Sequence, residues 1–221
     1  MKSKYFLQVI IFCFAVFFTT TAKAELLNSK EAREWAEAKG EQLLQAFSVQ
    51  NISTKYALLD ELFLNYVDLD YVGQFVVGKY WKVMTQEQQL EYRELFRRYA
   101  LGAYKSFPLA FNYKINFQIL KAYVNGSNAD VTAQLHFEGL PENDALQNIL
   151  LGFKLHKGLD GIKIRDLILG ESSLILSYRQ KFYQMIAADD GEIEWFLEDF
   201  RIQIEAMERT NELREEGEYP Y

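Results

Sequence analysis

The chain has 221 residues, with 24 Lys and Arg against 31 Asp and Glu, a formal net charge of −7, and 49% hydrophobic residues that include 17 Phe and 14 Tyr. Its length suits one domain beyond any leader segment. The acidic balance argues against a nucleic-acid partner, which needs a basic face, and against permanent residence on an anionic bilayer.

The chain opens MKSKYFLQVIIFCFAVFFTTTAKA. Lys2 and Lys4 form a positive start, Tyr5 to Phe18 an apolar run, and Ala22-Lys23-Ala24 a small-residue cleavage site, so residues 1–24 are expected to be a cleaved secretory signal peptide. The run is shorter than the about 20 residues that a membrane span needs. The only cysteine, Cys13, lies inside it, which leaves the mature chain without disulfide or thiol chemistry. Lys2, Lys4 and Lys23 leave with this segment, so the remainder is more acidic still.

Asn28 followed by Glu31 is a capping signal for a first helix, Ser29 to Phe47, with Trp35, Leu43, Leu44 and Phe47 on its apolar stripe. Ser53 is the expected cap of a second helix, whose Tyr56, Leu59, Leu62, Phe63 and Tyr66 face inward. Asp68 caps a short segment that is apolar on most sides, through Tyr71, Val72, Phe75, Val76 and Val77, and Gly78 interrupts it. Thr85 with Gln88 is a capping box for a long helix. Tyr92, Phe96, Tyr99, Ala103 and Phe107 then recur at three- and four-residue spacing, an aromatic stripe that something must cover.

After Pro108 the period changes from helical to alternating. Lys114 to Val124 is a strand whose phase slips near Leu120, which predicts a bulge. Asn125-Gly126 signals a hairpin turn, and Ala129 to Phe137 alternates with one wet face. Ile149 to Leu155 and Ile162 to Leu169 are the third and fourth strands, joined at Asp160-Gly161. Helices resume after Gly170, with stripes through Leu174, Tyr178, Phe182 and Ile186, and then through Ile193, Phe196, Phe200, Ile204 and Met207. The charged stretch from Glu208 to Tyr221 reads as a flexible tail. The expected fold is a single α+β domain over residues 25–207, with helices packed on one four-stranded antiparallel meander.

Catalytic and metal signatures are missing from the sequence. His136 and His156 fall on the polar phases of their strands, with no HExxH pattern and no further ligand at metal-site spacing. There is no nucleophile elbow, phosphate-binding loop or dinucleotide fingerprint, so no enzyme activity, metal or cofactor is expected. One polar residue breaks its pattern: Asp166 shares the phase of Ile162, Ile164 and Ile168. Such a carboxylate either pairs with Arg97 or Arg179, or sits at the rim of the sheet.

Two stretches together carry a family resemblance. The first is V-x-x-x-V-V-G-K-Y-W from Val72 to Trp81, with M-T-x-E-Q at Met84 to Gln88 and L-F-R-R-Y at Leu95 to Tyr99. The second is D-L-x-L-G-E-S-S-L-x-x-x-Y-R-x-x-F from Asp166 to Phe182. In that order they resemble the MlaC family, periplasmic phospholipid-binding components of a toluene-tolerance type ABC transport system. The family usually reads Glu-Gly-Val-Ser where this chain has Gly170-Glu171-Ser172-Ser173, so the glycine is displaced by one. The resemblance implies a lipid cavity between sheet and helices and a shuttle that maintains outer-membrane lipid asymmetry. It implies two partners, an outer-membrane lipoprotein–porin complex and an inner-membrane ABC transporter with an MCE subunit. Where the aromatic stripe converges with the strand phases, the expected lining is Phe75, Val76, Tyr80, Phe96, Tyr99, Phe117, Leu135 and Phe153, with Asp166 and Arg97 or Arg179 paired near the mouth. Arg93, Arg97, Arg98 and Lys105 form the densest basic cluster, facing a transporter partner or lipid phosphate, or else pairing along the helix with Glu91 and Glu94. A carrier of another lipid such as a hopanoid, a periplasmic peptide-binding or chaperone module, and an enzyme using Asp166 as base are the competing readings.

Overall fold

The computed structural model describes residues 26–105, 114–141, 144 and 149–217. The expected signal peptide lies outside the described residues, as does Phe107 of the aromatic stripe. Among the described residues four helices come first: α1 (Ser29–Ser48), α2 (Ile52–Tyr66), α3 (Leu69–Val77) and, after a 3-10 turn over Gly78–Lys82, α4 (Gln86–Lys105). Asn28 accepts from the Glu31 N–H at 3.0 Å and starts α1 as expected. The start of α2 differs. Its cap is Asn51, which accepts from the Thr54 N–H at 2.8 Å and the Thr54 hydroxyl at 2.9 Å, whereas Ser53 falls inside the first turn. Asn caps as well as Ser, and the earlier start places Ile52 against the cluster formed by α1 and α2. At α4 the box is reciprocal: Gln88 N–H to Thr85 at 3.2 Å, Thr85 N–H to Gln88 at 3.0 Å.

The strands β1 (Lys114–Asn125), β2 (Asn128–Glu138), β3 (Leu150–Gly158), β4 (Gly161–Leu169) and β5 (Ser172–Ser173) form one antiparallel sheet in sequential order. The meander is therefore five-stranded. The fifth strand has two residues, too few for an alternating pattern to register. The expected bulge is present, since the β1–β2 register shifts between Ile119 and Lys121 and skips Leu120. Arg33 of α1 donates to the Ile119 carbonyl at 2.6 Å, which satisfies a backbone group beside the bulge. A second shift pairs Lys154 with Asp166 but Leu155 with Ile164, leaving Arg165 as an extra residue on β4. In the turn after β4 the displaced glycine, Gly170, takes φ +61° and Glu171 is spared that conformation.

The chain closes with α5 (Leu174–Ala188) and α6 (Ile193–Glu215). Residues Glu208 to Glu215, read from the sequence as a tail, continue α6. Long-range contacts hold this end. Asn211 is buried and donates to the Gly102 carbonyl of α4 at 3.0 Å, and Arg98 grips Glu208 with two hydrogen bonds of 3.0 and 2.6 Å. A charged composition predicts disorder only where nothing packs against it. Asn211→Ala should cost about 1–2 kcal/mol, seen as a lower midpoint in urea unfolding, and an unchanged midpoint would show that this contact does not hold the helix end.

Among the described residues three apolar clusters build the interior. Tyr92, Phe96, Tyr99, Phe182, Phe196 and Phe200 dominate the first, between α3, α4, α5 and α6. The second lies between α1 and the sheet, around Ala32, Ala36, Ile119, Val131, Ala133 and Leu155. The third joins α1 and α2 through Ala46, Tyr56 and Leu59.

Candidate functional site

The clusters do not close completely where they meet. An apolar pocket of about 400 Å³ remains there, a volume ordinary for a ligand site. The first cluster contributes Leu69, Val72, Phe96, Tyr99, Ala100, Ala103, Ile175 and Tyr178. The third contributes Leu43, Phe47, Leu59, Leu62 and Tyr104. Among the described residues of the sheet only β4 takes part, with Ile164, Arg165, Asp166 and Leu167 in succession. A regular strand turns alternate residues away from a given face, and the extra residue at Arg165 breaks that alternation.

Most polar groups of the wall are held in bonds to other groups of the protein. Lys39 donates to the Tyr66 hydroxyl at 2.8 Å and lies over that ring at 4.2 Å. The Tyr104 hydroxyl donates to Asp60, which also pairs with Lys105 at 2.8 Å. Burial, with Asp60 beside it, pushes the Tyr104 phenol far above its ordinary pKa, so it stays neutral. Burial likewise raises Tyr99 and Tyr178, and Lys181 donates to the Tyr99 hydroxyl at 2.8 Å. Arg165 pairs with Asp68 at 2.8 Å and lies 4.3 Å from the Tyr71 ring centre.

Asp166 is buried, and its partners are not the expected arginines. Ser173 donates its hydroxyl to Oδ2 at 2.7 Å, and the Ile175 N–H donates to Oδ1 at 3.0 Å. Ser173 is itself the cap of α5, so the carboxylate sits against the first turn of that helix. Free N–H groups and the positive end of the helix dipole stabilise an anion there. Arg179 is engaged elsewhere, donating to the Phe75 carbonyl at 3.3 Å and the Tyr183 hydroxyl at 3.0 Å. Arg97 makes no ion pair with Asp166 and lines a separate cleft.

A family model for the MlaC protein matches residues 39–200. The chain belongs to the MlaC family. Every pocket-lining residue, from Lys39 to Tyr178, falls inside the matched span. No curated protein matches the chain. Among solved structures, the fold is similar to a phospholipid-binding protein from Ralstonia solanacearum in complex with a phospholipid, with a TM-score of 0.63 and 16% sequence identity, over 80% of this chain and 98% of that one.

Within this MlaC-family domain, Phe96 and Tyr99 are the two expected lining residues that reach the pocket. Val76 is fully buried in the solid aromatic cluster. Phe75 stacks on Tyr71, and Tyr80 meets Tyr183 edge-on. Phe117 and Phe153 pack in the layer under α1, where a side chain at Gly40 would collide with the Phe117 ring. Leu135 stands opposite Phe117 on β2 and does not line the pocket. The cavity is thus bounded mainly by helices and by β4 rather than by the middle of the sheet. His136 and His156 are not brought together, since His136 faces Asn116 and His156 faces Asn128. The basic cluster is largely spent across elements, with Arg93 on Asp70 at 3.2 Å, Arg98 on Glu208 and Lys105 on Asp60, not along the helix. Among the described residues no group of His, Cys, Asp and Glu is arranged for a metal, and no helix is long and apolar enough to cross a membrane.

Proposed function

We propose that this protein is a periplasmic phospholipid carrier that shuttles lipid between an outer-membrane lipoprotein–porin complex and an inner-membrane ABC transporter with an MCE subunit. The observation that carries the reading is the apolar pocket at the junction of the three clusters, with the charged groups of its wall, Lys39, Arg165 and Asp166, each bonded within the protein. Membership of the MlaC family and the likeness to a phospholipid-binding fold support it. The physical need is clear. Each buried methylene is worth about 0.8 kcal/mol, so a chain of about sixteen carbons resists leaving a bilayer by on the order of 12 kcal/mol. A carrier overcomes this with a dry cavity and no catalytic group. An acidic domain keeps off anionic bilayers between transfers.

Mass spectrometry of organic extracts from the purified, folded protein tests the reading. The expected result is phospholipid at a stoichiometric level. A folded protein free of lipid would overturn the carrier, and a hopanoid in the extract would reassign its cargo.

A further inference from the structure

A second cavity, of about 530 Å³, abuts the apolar pocket, and Val67, Leu69 and Phe96 belong to both linings. Its character is opposite. Around it stand Arg93, Arg97 and Lys163 with Asp68, Asp70, Glu94 and Asp160. Two of these acids are neutralised within the fold: Asp70 by Arg93 at 3.2 Å, and Asp68 by Arg165 at 2.8 Å, the latter from the pocket side. Arg97, Glu94, Lys163 and Asp160 make no ion pair among the described residues, although Lys163 donates to the Asn65 carbonyl at 2.7 Å. The cleft therefore keeps two cations and two anions available, one of each sign on α4 and one of each at the β3–β4 turn and the start of β4.

Resting on the carrier reading, we infer that this cleft receives a zwitterionic headgroup, a phosphate joined to an ammonium as in phosphoethanolamine, while an acyl chain occupies the apolar pocket. A guanidinium and an ammonium suit a phosphate. Glu94 and Asp160 then suit the headgroup amine. A purely anionic headgroup leaves the same two carboxylates facing unrelieved negative charge, so the cleft selects against it by repulsion as well as by missing contacts. The ester region of such a lipid then lies beside Val67, Leu69 and Phe96, the residues that both cavities share.

The test uses the full mature protein incubated with vesicles of equimolar phosphatidylethanolamine and phosphatidylglycerol, re-isolated and extracted for mass spectrometry. The wild type should hold phosphatidylethanolamine in roughly three- to tenfold preference, the scale of one or two exposed charge pairs. The double variant Glu94→Lys with Asp160→Lys should reverse the ratio in favour of phosphatidylglycerol. Equal uptake by the wild type, or a ratio unmoved in the double variant, overturns the headgroup assignment and leaves the carrier standing. Absence of any lipid in the wild type overturns both. Calorimetric titration of lipid-loaded protein with free phosphoethanolamine should show no binding, because the cleft is filled. Binding there would mark a site for the soluble compound and overturn the lipid assignment.

Discussion

Ala103→Trp should cut the lipid carried by the purified protein by on the order of a thousandfold in affinity. Ala103 lines the pocket from α4, one turn beyond Tyr99. An indole there occupies the space of several methylenes. Displacing about five of them removes about 4 kcal/mol of acyl burial, which is the origin of that figure. The fold should tolerate the ring, because it enters a cavity and not a packed core. Melting separates the two cases, since overpacking a solid core costs about 1–3 kcal/mol and filling an empty pocket does not. Val72→Trp enters the same pocket from α3 and should act alike. Wild-type lipid content in both folded variants would place the cargo somewhere else.

Asp166→Ala should destabilise the protein by about 2–4 kcal/mol, because it strips the Ile175 N–H and the Ser173 hydroxyl of their acceptor in a buried setting. For a chain of this size that corresponds to a fall of roughly 4–16 °C in melting temperature. Asp166→Asn keeps one carbonyl oxygen for the Ile175 N–H and should recover at least half of the loss. Lipid content per folded molecule should change little, since the carboxylate is turned to the helix end. A melting temperature within a degree or two of wild type in the alanine variant would show that the first turn of α5 does not depend on this carboxylate. Because Arg179 is bonded to Phe75 and Tyr183 and Arg97 makes no ion pair with Asp166, changing either should not reproduce the effect.

Much of the fold was legible in the chain because it rests on local rules. The caps at Asn28, Asp68 and Thr85, the glycine break after Val77, the switch to alternation at Lys114 and the slip at Leu120 each depend on residues within a few positions of one another. The signal failed where it was too short, as at Ser172–Ser173, or where two caps of equal quality competed, as at Asn51 and Ser53. Nothing local announced the second bulge at Arg165, which puts Arg165, Asp166 and Leu167 together on the pocket wall.

The order of elements, the antiparallel meander, the apolar stripes and the apolar phase of Asp166 were determined by the sequence alone. Only the tertiary structure decided which apolar residues face space. The aromatic stripe of α4 shows why. Tyr92 is buried among the aromatic rings and does not line the apolar pocket, whereas Phe96, Tyr99 and Ala103 reach it, although all four share one helical face. Periodicity reports that a side chain leaves water, because burial of apolar area drives each element inward in the same way. Whether it then meets another side chain or a cavity depends on how three clusters from distant parts of the chain come together. The same holds for charge: the apolar phase of Asp166 left pairing and rim exposure open, and only the approach of α5 to β4 buries the carboxylate and supplies the N–H and hydroxyl that satisfy it.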